Sequence, residues 1–348
     1  MNKKIGIIGH FGGGHTFLDG QTIKTKVFYE ELQKRGFDDI LCVDTYYNKT
    51  NKLRLIWDTL KCLFKCKTIV ILVSGNGLKI YLPLMYYAKR ILKLRIYHNV
   101  IGGSLAEEVK ENPKYIKCLS SFDSNWVEYS KMAKDLAELG VTNCEVVPNF
   151  KELDSKKAFQ AVSENGENKF CMFSRVLAEK GMTDAIEAVA RYNLAHDEKI
   201  KLEIWGPVDD RYKEEFELLC REHSEYVEYM GCADFDKSVE AITDNIALLF
   251  PTYWSGEGFP GTVVDAYAAA VPVIASDWNA NSEIIRDFET GWVYPNDKVK
   301  TLDESIEWAM QHKQEMAAMR KNCLLLSTRY TPDFVMRRLV DKYFKDLK

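Results

Sequence analysis

Residues Lys3–Thr25 read KKIGIIGHFGGGHTFLDGQTIKT. A short apolar run stops at Gly9, a glycine-dense stretch follows, and Thr22–Gly36 then takes a helical pattern. Strand, glycine loop and helix in that order open a Rossmann-like unit. Downstream, ILCVDTY, TIVILVSG, RIYHNVIGG and CEVVPNF read as further buried strands of a mostly parallel sheet. The polar stretch KELDSKKAFQAVSENGENK reads as a linker. A second alternation follows, with strands in KFCMFSRV, KLEIWG, VEYMG, IALLFPT and VPVIAS separated by helical segments. That is the pattern of a second doubly wound sheet. The expected fold class is therefore α/β, with two Rossmann-like domains facing a cleft. Residues 1–155 form the first domain and 166–328 the second, and a helix in 329–348 returns to the first.

A chain of 348 residues, 46% apolar and 28% charged, has the size and composition for two such domains. No apolar run reaches the roughly 20 residues needed to span a bilayer. The nine cysteines are scattered without a C-x-x-C pair, which reads as reduced thiols in a cytoplasmic protein. Charge is uneven. Residues 1–150 carry 22 Lys/Arg against 15 Asp/Glu, and the remainder 25 against 36. Residues 52–95 hold ten basic residues and one acid, Asp58. The split points to two domains with different partners.

The stretch GEGFPGTVVDAYAAA (residues 256–270) follows the strand IALLFP, and so stands where open α/β sheets bind ligands. Amides at the start of its helix suit a phosphate. Glu257 can accept hydrogen bonds from sugar hydroxyls, and Asp265 from a ribose diol. The alternative is structural: Thr262-Val263-Val264-Asp265 matches a capping box, with Glu257 serving only loop solubility. In SRVLAEKG, Arg175 and Lys180 stand five apart across a strand-to-helix turn, a spacing that lets both cations reach one diphosphate or simply face solvent. His10 and His15 flank the triple glycine, where each either touches phosphate or serves the loop, and His15 can also assist an acceptor. His98 lies within a buried strand and reads as a core histidine. Asp234-Phe235-Asp236 is a D-x-D metal signature, or an N-cap before KSVEAITD.

SRVLAEKG, GEGFPGTVVDAYAAAVPVIASDW and VVPNF together resemble glycosyltransferase family 4, retaining enzymes of the GT-B fold. DGQTIKT and VIGGSL further resemble a bacterial polysaccharide-assembly branch. The resemblance implies that Arg175 and Lys180 hold the diphosphate of a nucleotide-sugar donor, UDP- or GDP-linked. Glu257 would hold the donor sugar and Asp265 the ribose, with Phe259, Pro260, Gly261 and Thr262 against the sugar and phosphates. Gly13 and Gly14 would approach the diphosphate, and His15, Gln21, Gly102 and Gly103 would meet phosphate or acceptor. It further implies a metal-independent enzyme with no cofactor, transferring with retention by same-face attack. The acceptor would be a glycan or lipid-linked glycan of surface polysaccharide synthesis. Three departures stand out. Asp265 replaces the usual Glu, Ala270 the usual Gly, and Gly102-Gly103 a frequent His. A GT-B sugar-nucleotide epimerase or hydrolase, or a non-catalytic nucleotide-sugar-binding subunit, are the alternative functions. No nucleic-acid partner is expected.

The basic segment adds a possible surface. In NKLRLIWDTLKCLFKCK, Leu53, Ile56, Trp57, Leu60 and Phe64 follow helical spacing among Lys52, Lys61, Lys65 and Lys67, and LPLMYYAKRILKLR adds a second basic, apolar segment. Either both helices pack on the sheet with their lysines solvated, or they rest on anionic lipid at the inner face of a membrane, where a lipid-linked acceptor is received.

Overall fold

The computed structural model describes residues 4–15, 20–153, 155, 168–234, 237–295 and 300–347. The chain divides into two compact units, Met1–Lys151 with Pro332–Lys348, and Glu152–Thr331.

The first unit is built on a six-stranded sheet ordered β2-β1-β3-β4-β5-β6, from β1 (Ile5–Gly9), β2 (Ile40–Asp44), β3 (Thr68–Leu72), β4 (Arg95–Asn99), β5 (Ser124–Val127) and β6 (Cys144–Val146). All the pairings are parallel. Both β1 and β3 are buried along their whole length, which is why they read as continuous apolar runs. Gly6 in β1 lets the helix Lys52–Lys65 sit close, because a Cβ there would lie 2.3 Å from Cys62 Sγ. Pro332–Leu339 and the turns after it belong to this unit, where Val335, Met336, Leu339 and Phe344 join Phe28, Tyr97 and Trp126 in one core. Tyr97 and Trp126 stack with centroids 5.1 Å apart.

The second unit holds a sheet ordered β12-β11-β10-β7-β8-β9, again parallel throughout. Its strands are β7 (Lys169–Phe173), β8 (Lys201–Trp205), β9 (Val227–Gly231), β10 (Ala247–Phe250), β11 (Val273–Ser276) and β12 (Gly291–Tyr294). Its core joins β7, β8 and β10 to the helices Met182–Ala195 and Lys300–Gln311 through Phe170, Ile186, Val189, Leu202, Leu249 and Ile306.

Two strands escape the sequence pattern. β5 is SNWV, half of it polar, yet all of it is buried. Asn125 Nδ2 donates to Leu119 O at 3.0 Å and to Asn143 Oδ1 at 3.1 Å, so hydrogen bonds replace the apolar signal. β12 is a four-residue edge strand, half-buried at its centre and too short to show a period.

Candidate functional site

The order of the second sheet reverses between β7 and β10, which are neighbours although two strands separate them in sequence. Their carboxyl ends mark the topological switch point, the usual binding crevice of an open α/β sheet. Both motif loops leave from here.

After β7 the chain turns through Ala178–Lys180 into the helix Met182–Ala195. Gly181 makes the corner with φ +72°, and a Cβ on it would lie 2.3 Å from Pro251 O. The two loops therefore touch backbone to backbone, and that contact brings Lys180 to Glu257. Lys180 Nζ donates to Glu257 Oε2, with both residues 6% exposed. Thr252 Oγ1 donates to the same oxygen at 3.2 Å. The ammonium also lies 4.6 Å from the ring centroid of Trp254, a cation–π contact in a desolvated site. Asn279 Nδ2 donates to Glu257 O at 2.8 Å, and Trp278 Nε1 to Trp254 O at 2.8 Å, so residues after β11 brace the loop. Among the described residues none donates to Glu257 Oε1.

The helix after this loop runs Gly261–Ala268, with Pro260 at its N-cap. Thr262 is thus inside the helix, and its Oγ1 donates to Phe173 O at the end of β7. The capping-box alternative does not hold, because the register is two residues out. Asp265 is 3% exposed and accepts from Ser238 Oγ at 2.8 Å. Phe259 is buried with its ring against Tyr330, centroids 5.1 Å apart.

Arg175 lies on the exposed side of the same turn. It lines an open pocket of about 350 Å³ with Pro207, Val208, Asp209, Asp210 and Arg211. The loops after β7 and β8 are pinned there by Val176 N to Pro207 O and Asp209 N to Val176 O, both 2.9 Å. Hydrogen bonds from Arg211 hold the Asp209 carboxyl below its usual range, with a smaller contribution from Arg175.

Residues 154–323 match the family model of the glycosyl transferases group 1. The match lies within the second unit and spans just under half of the chain. No curated protein matches the sequence. Among solved structures, HepE of Anabaena bound to UDP superposes with a TM-score of 0.75 at 13% identity, over 99% of this chain and 100% of that one. Sucrose-phosphate synthase of Thermosynechococcus elongatus gives 0.75 at 14%, over 99% of each chain. The apo form of the lipopolysaccharide outer core galactosyltransferase WaaB gives 0.72 at 16%, again over 99% of each. At such identities the likeness is one of fold, and the fold is GT-B.

Within the matched segment, Asp234 accepts from Lys237 Nζ at 2.8 Å on the surface, and Lys237 occupies the N-cap of Ser238–Ile242. Phe235 and Asp236 lie outside the described residues, as does most of the linker.

In the first unit, the glycine loop is organised by a residue that the sequence did not single out. Asp44, at the end of β2, accepts from Phe11 N at 2.9 Å, Gly13 N at 2.7 Å and Tyr46 N at 3.0 Å. Gly14 and His15 close the described part of this loop, and His15 N donates to Gly12 O. The His15 ring lies 5.6 Å from Tyr46, and His10 Nδ1 is 2.7 Å from Thr22 Oγ1. Gln21 spans the switch point of this sheet, its Nε2 donating to Leu72 O at 3.2 Å and its Oε1 accepting from Ser74 at 3.0 Å. Gly102 takes φ +82° after β4, and Gly103 O accepts from Tyr129 at 3.3 Å. Lys24 was not singled out either. It is buried and donates to Glu128 Oε1 at 2.6 Å and to Val100 O at 2.9 Å. His98 is a core residue, and burial pushes it down to about 4.

Proposed function

We propose that the chain is a retaining, metal-independent glycosyltransferase that moves a sugar from a nucleotide-sugar donor to a glycan or lipid-linked glycan acceptor in bacterial surface polysaccharide synthesis. The observation that carries this reading is the buried Lys180–Glu257 pair at the switch point, with Oε1 of Glu257 left for a guest. The crystallisation of HepE with UDP favours uridine in the donor, and the description of WaaB as a lipopolysaccharide galactosyltransferase favours a surface glycan.

Breaking the sugar–phosphate bond leaves charge on the departing diphosphate. Lys180, Arg175 and the amides opening Gly261–Ala268 supply fixed positive potential there, without reorganisation during reaction. Glu257 reads the donor sugar's hydroxyls through Oε1, and Asp265 the ribose. The acceptor hydroxyl attacks from the face the diphosphate leaves, and its proton passes to the leaving phosphate oxygen.

A panel of nucleotide sugars tests the donor by thermal shift, since a ligand at 100 times its Kd adds about 2.7 kcal/mol. Nucleotide release with and without glycan acceptors then separates the activities. Acceptor-dependent release with the anomeric configuration kept, seen by proton NMR, is the expected outcome. Release without acceptor identifies a hydrolase, interconversion of nucleotide sugars an epimerase, and binding without release a sensor. Glu257→Gln should weaken the nucleotide sugar and spare the free nucleoside diphosphate, whereas Asp265→Asn should weaken both. Equal effects of Glu257→Gln on the two ligands would remove its sugar role.

A further inference from the structure

The helix Lys52–Lys65 has two apolar faces, and only one of them is packed. Thr59, Cys62 and Leu63 are buried, and the helix seats them on β1 and β2. About 120° around the helix, at 100° per residue, Leu53, Ile56, Trp57, Leu60 and Phe64 form one stripe that points away from the core. Leu53 is 81% exposed, Trp57 70% and Phe64 73%. Packing on the sheet therefore does not account for this stripe. The neighbouring helix Asn76–Leu92 joins it through Thr59 Oγ1 and Tyr81 OH, 3.3 Å apart, and exposes Ile80, Tyr87 and Ile91.

The charge around these side chains is predominantly positive. Lys52, Lys61, Lys65, Lys67, Lys79 and Lys93 are all exposed, and none forms an ion pair with a described residue. Arg54, Lys61 and Lys65 follow one edge of the Trp57 stripe. The single acid in the segment, Asp58, is engaged by Arg54 at 3.6 Å. Among the described residues no helix is long and apolar enough to cross a membrane. An apolar stripe edged by lysines on a short helix is the pattern of a segment lying in the plane of a lipid interface.

We infer that the face formed by Lys52–Lys65 and Asn76–Leu92 docks on the surface of an anionic lipid bilayer. Trp57, Leu53 and Phe64 enter the headgroup boundary while the lysines meet lipid phosphates. That this surface delivers a lipid-linked acceptor rests on the transferase reading above; the docking itself does not.

The test is flotation of the full chain with vesicles of phosphatidylcholine containing about 30% phosphatidylglycerol, at low salt and at roughly 0.5 M salt. The wild type should float at low salt and be released at high salt. Reversing Lys61, Lys65 and Lys67 to Glu should lower partitioning by about a hundredfold or more, since each basic residue near the surface is worth about fivefold. Trp57→Ser should lower it about tenfold with the charge intact. Lys79→Glu with Lys93→Glu provides a second charge test on the other helix. Absence of flotation at low salt, or equal flotation of the reversed variants, would overturn the docking. So would a dimer that Trp57→Ser dissociates without altering vesicle binding, because the face would then join two copies. Donor thermal shift measured without vesicles keeps the readings apart: stabilisation without flotation sinks only the docking, and flotation without stabilisation sinks only the transferase.

Discussion

Each sheet of this protein has a buried Lys–Glu pair at its carboxyl edge, and the two pairs are closed to different degrees. Lys24 donates hydrogen bonds to Glu128 and to the Val100 carbonyl, so its charge is paired within the first unit. Lys180 has one carboxylate and the face of Trp254, and Glu257 keeps an oxygen without a described donor. A buried charge that is fully paired ties elements together; one paired incompletely is prepared to receive something else. The first pair links a helix to the ends of two strands. The second links two loops across a switch point, where a guest can enter.

The strongest way to break this comparison is to delete each ammonium. Lys24→Met and Lys180→Met should each lower unfolding free energy by about 3–5 kcal/mol, because each leaves a buried carboxylate alone. Urea unfolding measures this. Replacing both partners, with Lys24→Met plus Glu128→Leu or Lys180→Met plus Glu257→Leu, should recover most of the loss. Only the second double variant should then lose sugar transfer, by about a hundredfold or more. If it kept turnover, the second pair would be a structural tie like the first.

His98 sharpens the contrast from the other side. It is fully buried, no acid among the described residues pairs with it, and burial holds it near 4 instead of 6.5. Between those values the unfolded chain binds the extra proton, so stability rises with pH across the window and falls as pH drops through it. The stabilisation is complete above about pH 6.5, and roughly 3 kcal/mol is lost by about pH 4. His98→Gln should flatten that slope in urea titrations at several pH values; an unchanged slope would place the acid sensitivity elsewhere.

The smallest effect concerns Thr252. Its hydroxyl is the neutral donor to Glu257 Oε2, and Thr252→Val should cost about 2 kcal/mol, as expected for a hydrogen bond to a charged group. Donor affinity should fall with it, because the carboxylate gains a freedom that binding must then remove. Unchanged affinity would mean that Lys180 alone orients Glu257.

What the sequence revealed follows from what leaves a local trace. The apolar runs of β1, β3 and β10 announce buried parallel strands, and the Arg175, Lys180 and Glu257 motifs sit in short loops that adjoin those strands. Lys24 and Glu128 are 104 residues apart, and each looks like an ordinary surface charge in its own segment. Asp44 likewise closes a loop 31 to 33 residues away. β5 was invisible because its burial is supported by amide hydrogen bonds. The Trp57 stripe was legible as a periodicity, but only the folded structure shows which face of that helix the core takes.

Residues Pro332–Phe344 complete the core of the unit that begins at the other end of the chain. On the ribosome this imposes an order of events. Phe28, Tyr97 and Trp126 are made early, yet Val335, Met336 and Phe344 emerge only after all of Glu152–Thr331. At about 5–20 residues per second the unit stays unfinished for on the order of ten seconds or more, its aromatic centre uncovered. The second unit, contiguous in sequence, faces no such delay and can be complete first. The order of synthesis thus lets the second unit close its core before the first can.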